Sequence, residues 1–319
     1  MIKILLTRKW PESVVQSLQS RYTVTCHNAP LSKIEWQDAL QSFDAICPCV
    51  TDQVTADLFA GIKIKTRILA NYGVGYNHID LVATKAHGLS VTNTPDVLTD
   101  ATADLAMTLL LMLGRRAGEG ERQVRSGLWS GWYPTHMMGT MITGASLGII
   151  GMGRIGQAMA SKAHYGFGMK ILYHNKNPIK NGAVVDMSAE YCADLANLLG
   201  RADFVSIHCP GNASTRHLIN AQRLAQMQPH AFLINTSRGD VVDEVALIQA
   251  LQTGHIAGAG LDVFEHEPAV PAALKQLESV VLLPHLGSAT LQSREAMGMR
   301  VMQNLEAFFS GKKLPDLVL

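Results

Sequence analysis

The junction at residues 146–156, SLGII followed by GMGRIG, restricts the fold of this chain more than any other stretch. The five-residue apolar run has the length of a buried strand, and the QAMASKA that follows Gly156 has the composition of a helix. Between them three glycines stand at G-x-G-x-x-G spacing. Gly151 permits the tight turn, Gly153 lets the backbone approach a pyrophosphate, and Gly156 allows the helix to pack closely on the strand. The helix N-terminus, with Arg154 and Ile155 in its first turn, supplies N–H donors and a dipole that favours an anion. A further strand-like run at 170–174 completes a βαβ unit, so the segment implies a bound dinucleotide.

The residues at the end of that second strand bear on which dinucleotide it is. A form that prefers NAD places a carboxylate about 20 residues beyond the glycines, against the adenosine ribose. No acidic residue occurs between 157 and 185. Asn175, Lys176 and Asn177 stand there instead, where Lys176 can meet a ribose 2′-phosphate. A hydrogen bond to a charged group is worth about 1.5–3 kcal/mol, a preference of about tenfold or more. NADPH is therefore expected over NADH. The competing reading makes Lys176 a solvated loop lysine and leaves NADH as the cofactor.

The same alternation runs through the whole chain. IKILLT, YTVTC, DAIC, TRILA and LSVTN punctuate the first ninety or so residues, separated by helix-like segments and by turn signals at Pro11, Pro30, Gly61 and the YGVGYN stretch. Asp80 is placed to cap a short helix that Gly88 stops. From Thr102 to Arg116 a helix apolar nearly all round is expected, wedged between layers or subunits. A second series of strands begins near residue 146. In the tail, Met297, Val301, Leu305 and Phe308 or Phe309 recur at helical spacing, and that face needs an apolar surface, which the first domain can supply. The 319 residues suffice for about two domains.

Composition removes several classes of function. A formal net charge of +1 gives no basic excess for a nucleic-acid backbone. The longest apolar run, Leu105–Leu113 with one threonine inside it, falls well short of the roughly 20 residues needed to cross a bilayer. The opening MIKILLTRKW lacks a signal-peptide core. Cys26, Cys47, Cys49, Cys192 and Cys209 are scattered and read as buried, reduced thiols, which points to the cytoplasm. Neither HExxH nor paired CxxC occurs, so no metal site is expected.

Ligands of open α/β sheets bind outside the carboxyl ends of the strands. Three residues with useful chemistry follow strand-like runs: Arg238 after AFLINTS, Glu267 beyond GAGLDVF, and His285 after VVLLP. The guanidinium fork of Arg238 suits a carboxylate. A histidine paired with a carboxylate can deliver a proton to a carbonyl oxygen, making His285 the acid and Glu267 its partner. Taken singly, the three are equally readable as a helix-capping arginine, a solvated glutamate and a core imidazole.

Read together, YGVGYNHIDL, NTPDVLTDATADLAM, GMGRIGQAMA, NTSRGDVVDEVAL, GLDVFEHEP and LPHLGSAT resemble the D-isomer-specific 2-hydroxyacid dehydrogenases over residues 71 to 290. That resemblance implies a catalytic set of Arg238, Glu267 and His285. It also implies N–H donation to a substrate carboxylate from Val74 and Gly75, and a nicotinamide contact from Asp262. Cys209, Pro210 and Thr236 would line the cofactor, as would Thr102, His285 and Gly287. His208 is expected to be structural. The implied architecture is α/β with two doubly wound parallel-sheet domains: a Rossmann-type cofactor domain over 99–285, inserted into a flavodoxin-like substrate domain formed by 1–98 and 286–319. Within the family, YHNKN and GWYPTHMMG are most similar to the glyoxylate and hydroxypyruvate reductases. A homodimer through the apolar helix, Trp129 and Trp132 is implied, with His136 or Met138 reaching a neighbouring site where relatives often carry an aromatic. The expected reaction is NADPH-dependent reduction of a small 2-keto acid, with activity falling in alkaline conditions as His285 loses its proton. The alternatives are an NAD-linked dehydrogenase acting on D-lactate or a similar substrate, and a dinucleotide-sensing regulatory protein.

Overall fold

A computed structural model describes residues 1–180 and 182–319 and divides the chain into two compact units, Met1–Leu98 with Ser288–Leu319, and Thr99–Gly287.

The first unit is built on five parallel strands, β1 (Lys3–Leu6), β2 (Thr23–Cys26), β3 (Ala45–Cys47), β4 (Ile68–Ala70) and β5 (Ser90–Thr92), in the order β2-β1-β3-β4-β5. This is the flavodoxin-like order, with its switch point between β1 and β3. Central strands covered on both faces cannot alternate polar with apolar residues, and Ile4, Leu6, Ile46, Ile68 and Leu69 are all fully buried. Helix α1 spans Glu12–Gln19. Helix α2 (Lys33–Ser42) begins with a capping box in which Ser32 and Glu35 satisfy each other's backbone N–H groups. Helix α3 (Leu81–Ala86) is capped by Asp80, whose side chain accepts the Ala83 N–H, and Gly88 follows at φ +72°. The C-terminal helix, Leu291–Phe309, packs on α1 and β4 and buries Met297, Val301 and Leu305. Its Gly298 makes the approach possible, because a Cβ there would stand 2.5 Å from Val14 Cγ1.

In the second unit seven parallel strands, β6 (Ser146–Ile150), β7 (Lys170–His174), β8 (Glu190–Tyr191), β9 (Phe204–Ile207), β10 (Phe232–Asn235), β11 (Gly258–Leu261) and β12 (Val280–Leu282), lie in the order β12-β11-β10-β9-β6-β7-β8. Read from the β8 edge, this is the Rossmann order extended by one strand, and the reversal falls between β6 and β9. Helix α4 runs Thr99–Gly114, three residues earlier at its start than the apolar pattern suggests and two shorter at its end, where Arg116 takes a left-handed φ of +50° and opens α5 (Ala117–Arg125). Its buried face, including Ala103, Ala106, Leu109, Leu110 and Leu113, packs on β10–β12 and on α6 (Arg154–Phe167). Gly260 keeps α4 close to the sheet, since a Cβ there would meet Leu109 Cβ at 3.0 Å.

All five cysteines are free; Cys47 and Cys192 are buried, Cys49 and Cys209 partly so, and Cys26 is exposed. The exposed thiol corrects the expectation that all are buried: β2 is the edge strand of its sheet, and its terminal residue pairs on one side only, with Leu6 of β1. Among the described residues no helix is long and apolar enough to cross a membrane.

Candidate active site

The switch point of the second sheet is rimmed by the loops after β6 and β9. Gly151 adopts φ +96°, and a Cβ there would stand 2.5 Å from the backbone nitrogen of Cys209, so the two loops touch through their main chains. A Cβ on Gly156 would come within 2.3 Å of the Gly151 carbonyl oxygen, whereas nothing lies within 4 Å of one built on Gly153. The middle glycine therefore faces open space. It is also the N-cap of α6 with no side-chain cap, which leaves the first N–H groups of a 14-residue helix for an anion. Arg154 is exposed on that first turn, Ile155 is half-buried, and Pro210 follows Cys209 on the facing loop. Burial pushes the Cys209 thiol up to about 11, so it is protonated at neutral pH. Asn175 Oδ1 accepts the Met152 N–H at 2.7 Å, so this side chain braces the glycine loop. Lys176, one residue further on, is exposed at the carboxyl end of β7. His208 points inward to Ser206 Oγ at 2.9 Å and Met159 Sδ at 3.1 Å, and burial lowers its imidazole to about 4.

The loops after β10, β11 and β12 bring Arg238, Glu267 and His285 together. Asn235 turns the chain after β10: its Oδ1 accepts from Ser237 N–H at 3.0 Å and Oγ at 2.9 Å, and its Nδ2 donates to the Arg238 carbonyl at 2.8 Å. Arg238 extends from this turn, with Nη1 on the Ser237 carbonyl at 2.6 Å. The turn presses on the next loop through Gly239, where a Cβ would lie 1.9 Å from the Phe264 carbonyl carbon. Gly211 leaves room on the other side, since a Cβ there would meet Arg238 Cγ at 2.8 Å. Burial draws the guanidinium below its ordinary pKa, against the pull of Glu267 and Asp240.

Glu267 spans two contacts. Its Oε1 accepts the Phe264 N–H at 3.1 Å and its Oε2 pairs with His285 Nδ1 at 2.8 Å. Burial works to raise its carboxyl, but the hydrogen bond and charge of His285, the Phe264 N–H and the Arg238 charge together hold it below the usual glutamate range. Glu244, buried behind the loop, accepts the Glu265 N–H at 2.8 Å.

His285 sits at φ +56°, a left-handed conformation uncommon outside glycine, and several bonds hold it there. Its own N–H donates to the Asp262 carbonyl at 2.9 Å, while the Asp262 carboxylate accepts from Leu286 N–H at 2.6 Å and Gly287 N–H at 2.8 Å. Burial pushes the Asp262 carboxyl above its ordinary range, partly offset by the Leu286 N–H, the His285 charge and the Gly287 N–H. Asp262 thus braces the histidine turn with both oxygens, and a nicotinamide contact would share their remaining lone pairs. Thr102 Oγ1 donates to the Gly287 carbonyl at 3.0 Å and anchors the far end of the turn. Thr236 Oγ1, by contrast, is buried with no hydrogen-bond partner among the described residues. An orphaned hydroxyl beside the Arg238 turn and an uncapped glycine loop are features that a dinucleotide would satisfy.

Val74 and Gly75 belong to the first unit, in the loop after β4; they are partly exposed, and among the described residues their N–H groups have no hydrogen-bond partner. His136 is tied down, with Nε2 2.9 Å from Gln123 Oε1 and its ring 4.9 Å from that of Tyr133, whereas Met138 is 68% exposed. Sequence reasoning missed Asn235, Gly239, Gly211 and Glu244. The SRG motif contains Gly239, but nothing local in it tells which backbone approaches.

Residues 107–287 match the family model described as D-isomer specific 2-hydroxyacid dehydrogenase, NAD binding domain. The glyoxylate reductase of Thermococcus litoralis is 45% identical over 322 aligned residues, covering 99% of this chain and 96% of that protein; that of Pyrococcus furiosus is 42% identical at 99% and 95% coverage. Among solved structures, an NADPH-dependent glyoxylate/hydroxypyruvate reductase from Sinorhizobium meliloti, in complex with NADP and malonate, superposes with a TM-score of 0.88 at 35% identity, covering 99% of this chain and 96% of that one. With the motif order, both sheet orders and near full-length similarity in agreement, the chain belongs to the D-isomer-specific 2-hydroxyacid dehydrogenase family.

Proposed function

We propose that this chain reduces small 2-keto acids, glyoxylate or hydroxypyruvate first, to 2-hydroxy acids of the D series with NADPH as reductant. The observation that carries the reading is the 2.8 Å pairing of His285 Nδ1 with Glu267 on a turn next to Arg238. A bound reduced nicotinamide supplies hydride to the keto carbon. Arg238 offers its planar fork to the substrate carboxylate, and the Val74 and Gly75 N–H groups are donors of the kind a carboxylate accepts. With Nδ1 held by Glu267, His285 presents Nε2–H to the carbonyl oxygen and gives up its proton as negative charge develops there. Glu267 stabilises the imidazolium and fixes its orientation, and the neighbouring Arg238 charge favours the ionised carboxylate.

Lys176 supports NADPH over NADH, being exposed about 20 residues beyond the glycine loop with no carboxylate in its place. The Sinorhizobium relative, an NADPH-dependent reductase, accords with this. An apolar surface supports a homodimer: Leu128, Trp129, Trp132, Met138 and Met141 are all exposed on the segment after α5. Free thiols throughout suit a reducing, cytoplasmic compartment. The test is the loss of NADPH absorbance with a panel of keto acids, repeated with NADH. Rapid turnover of glyoxylate or hydroxypyruvate with NADPH is expected. No turnover of any keto acid with either cofactor overturns the reading, and a preference for NADH overturns the role of Lys176.

A further inference from the structure

Three successive carbonyls of the loop after β4 are tied down by two side-chain amides, one buried and one partly exposed. Asn71, fully buried at the end of β4, donates from Nδ2 to the Gly73 carbonyl at 3.0 Å and to the Gly75 carbonyl at 2.9 Å. Asn93, at the end of the adjacent β5, donates from Nδ2 to the Val74 carbonyl at 2.8 Å, and the Thr94 N–H adds a bond to the Gly73 carbonyl at 3.1 Å. Carbonyls only accept, so the atom of Asn71 that faces two of them must be its NH₂ group. Its Oδ1 then accepts from His78 Nε2 at 3.0 Å, which requires His78 to carry a proton on that nitrogen. Both hydrogens of the Asn71 amide are spent on this loop, and His78 keeps the amide from flipping.

A trans peptide is planar, with the C=O of one residue opposed to the N–H of the next. Pinning the Gly73, Val74 and Gly75 carbonyls inward therefore turns the Val74, Gly75 and Tyr76 N–H groups outward. None of these three N–H groups has a hydrogen-bond partner among the described residues. Without the two asparagines each peptide plane could rotate and exchange donor for acceptor, and a loop that presents a carbonyl repels a carboxylate. We propose that Asn71, locked by His78, and Asn93 are positioning residues that hold this row of N–H groups ready for the substrate carboxylate, with Tyr76 supplying a third donor. The role rests on the keto-acid reading above and adds to it the groups that orient its anion site.

The experiment measures NADPH affinity by fluorescence, oxamate affinity of the NADPH-bound enzyme, and glyoxylate kinetics, in wild type, Asn71→Leu and Asn93→Ala. Oxamate resembles a keto acid but is not reduced, so it reports the anion site apart from chemistry. About a tenfold rise in the oxamate Kd and the glyoxylate KM is expected for Asn93→Ala, and a larger one for Asn71→Leu, with NADPH Kd unchanged and kcat altered much less than KM. Asn93 is partly exposed, so its variant stands as the test if Asn71→Leu does not fold. Oxamate Kd within twofold of wild type, or parallel loss of NADPH and oxamate binding, overturns the positioning role. If wild type reduces glyoxylate and the variants bind oxamate normally, only the positioning role falls. A wild-type chain that neither reduces glyoxylate nor binds oxamate overturns both.

Discussion

Gly239→Ala tests whether the proposed catalytic side chains depend on the contact between their loops. In the structure an added Cβ would stand 1.9 Å from the Phe264 carbonyl carbon, 2.1 Å from its oxygen and 2.3 Å from the Glu265 nitrogen. Carbon atoms in good contact lie about 3.5 Å apart, so the two backbones must separate by about 1.5 Å. No flexible side chain is there to give way, and the atoms that move carry Arg238 on one side and Glu267 three residues along on the other. Catalytic groups must hold their geometry to within about 0.5 Å, and a misplacement of 1 Å costs about 10²-fold in rate. Overpacking of this kind also destabilises by about 1–3 kcal/mol. The alanine variant should therefore fold with a lowered Tm, bind NADPH through the untouched glycine loop, and lose at least about 10²-fold in kcat/KM for glyoxylate. NADPH oxidation followed by absorbance, beside a thermal melt, measures both effects. Turnover within threefold of wild type would refute the argument, because it would mean that the loops part without disturbing the groups they carry.

Three further outcomes are expected. His285→Ala should retain NADPH binding while kcat falls by about 10² to 10⁴; equal loss of both would mark a structural histidine. Lys176→Asp should raise the Michaelis constant for NADPH at least about tenfold and leave that for NADH no worse, and an unchanged NADPH constant removes the lysine from the 2′-phosphate site. Burial lowers His208 from 6.5 to about 4, so the unfolded chain binds the extra proton first: stability is intact above pH 6.5 and declines as the pH falls toward 4. The shift corresponds to about 3 kcal/mol, and denaturant titrations at pH 7 and 4.5 should show a smaller acid loss in His208→Gln than in wild type; equal losses would place the acid sensitivity elsewhere.

The parts of this fold that were legible in the sequence are those whose physical demand is local. A glycine turn between a strand and a helix can be read from eleven residues, because Gly151, Gly153 and Gly156 each meet a constraint set within that span. Buried parallel strands announce themselves as short apolar runs, and β8 escaped notice, being two residues long at an edge with Glu190 exposed. Arg238, Glu267 and His285 could be singled out as candidates because each follows such a run, and strand ends are where ligands meet these sheets; their proposed roles came from the family resemblance.

The supporting groups obey a different rule. Asp262 acts on His285 through N–H groups 24 and 25 residues away, and Gly239 is required by the backbone of Phe264. Neither relation leaves a periodicity or a spacing, since it exists only after two loops have met. Asn71 is the clearest instance: before a sheet is built, an asparagine at the end of a strand reads as a turn former, yet here its NH₂ group donates to carbonyls two and four residues on. A left-handed His285 makes the same point in energetic form. An isolated chain would disfavour that φ by about 1–3 kcal/mol, so the conformation persists only because three bonds to Asp262 impose it. The geometry of this site therefore depends on residues outside the proposed catalytic set, and their identity is set by which backbone groups the fold leaves in need of a partner.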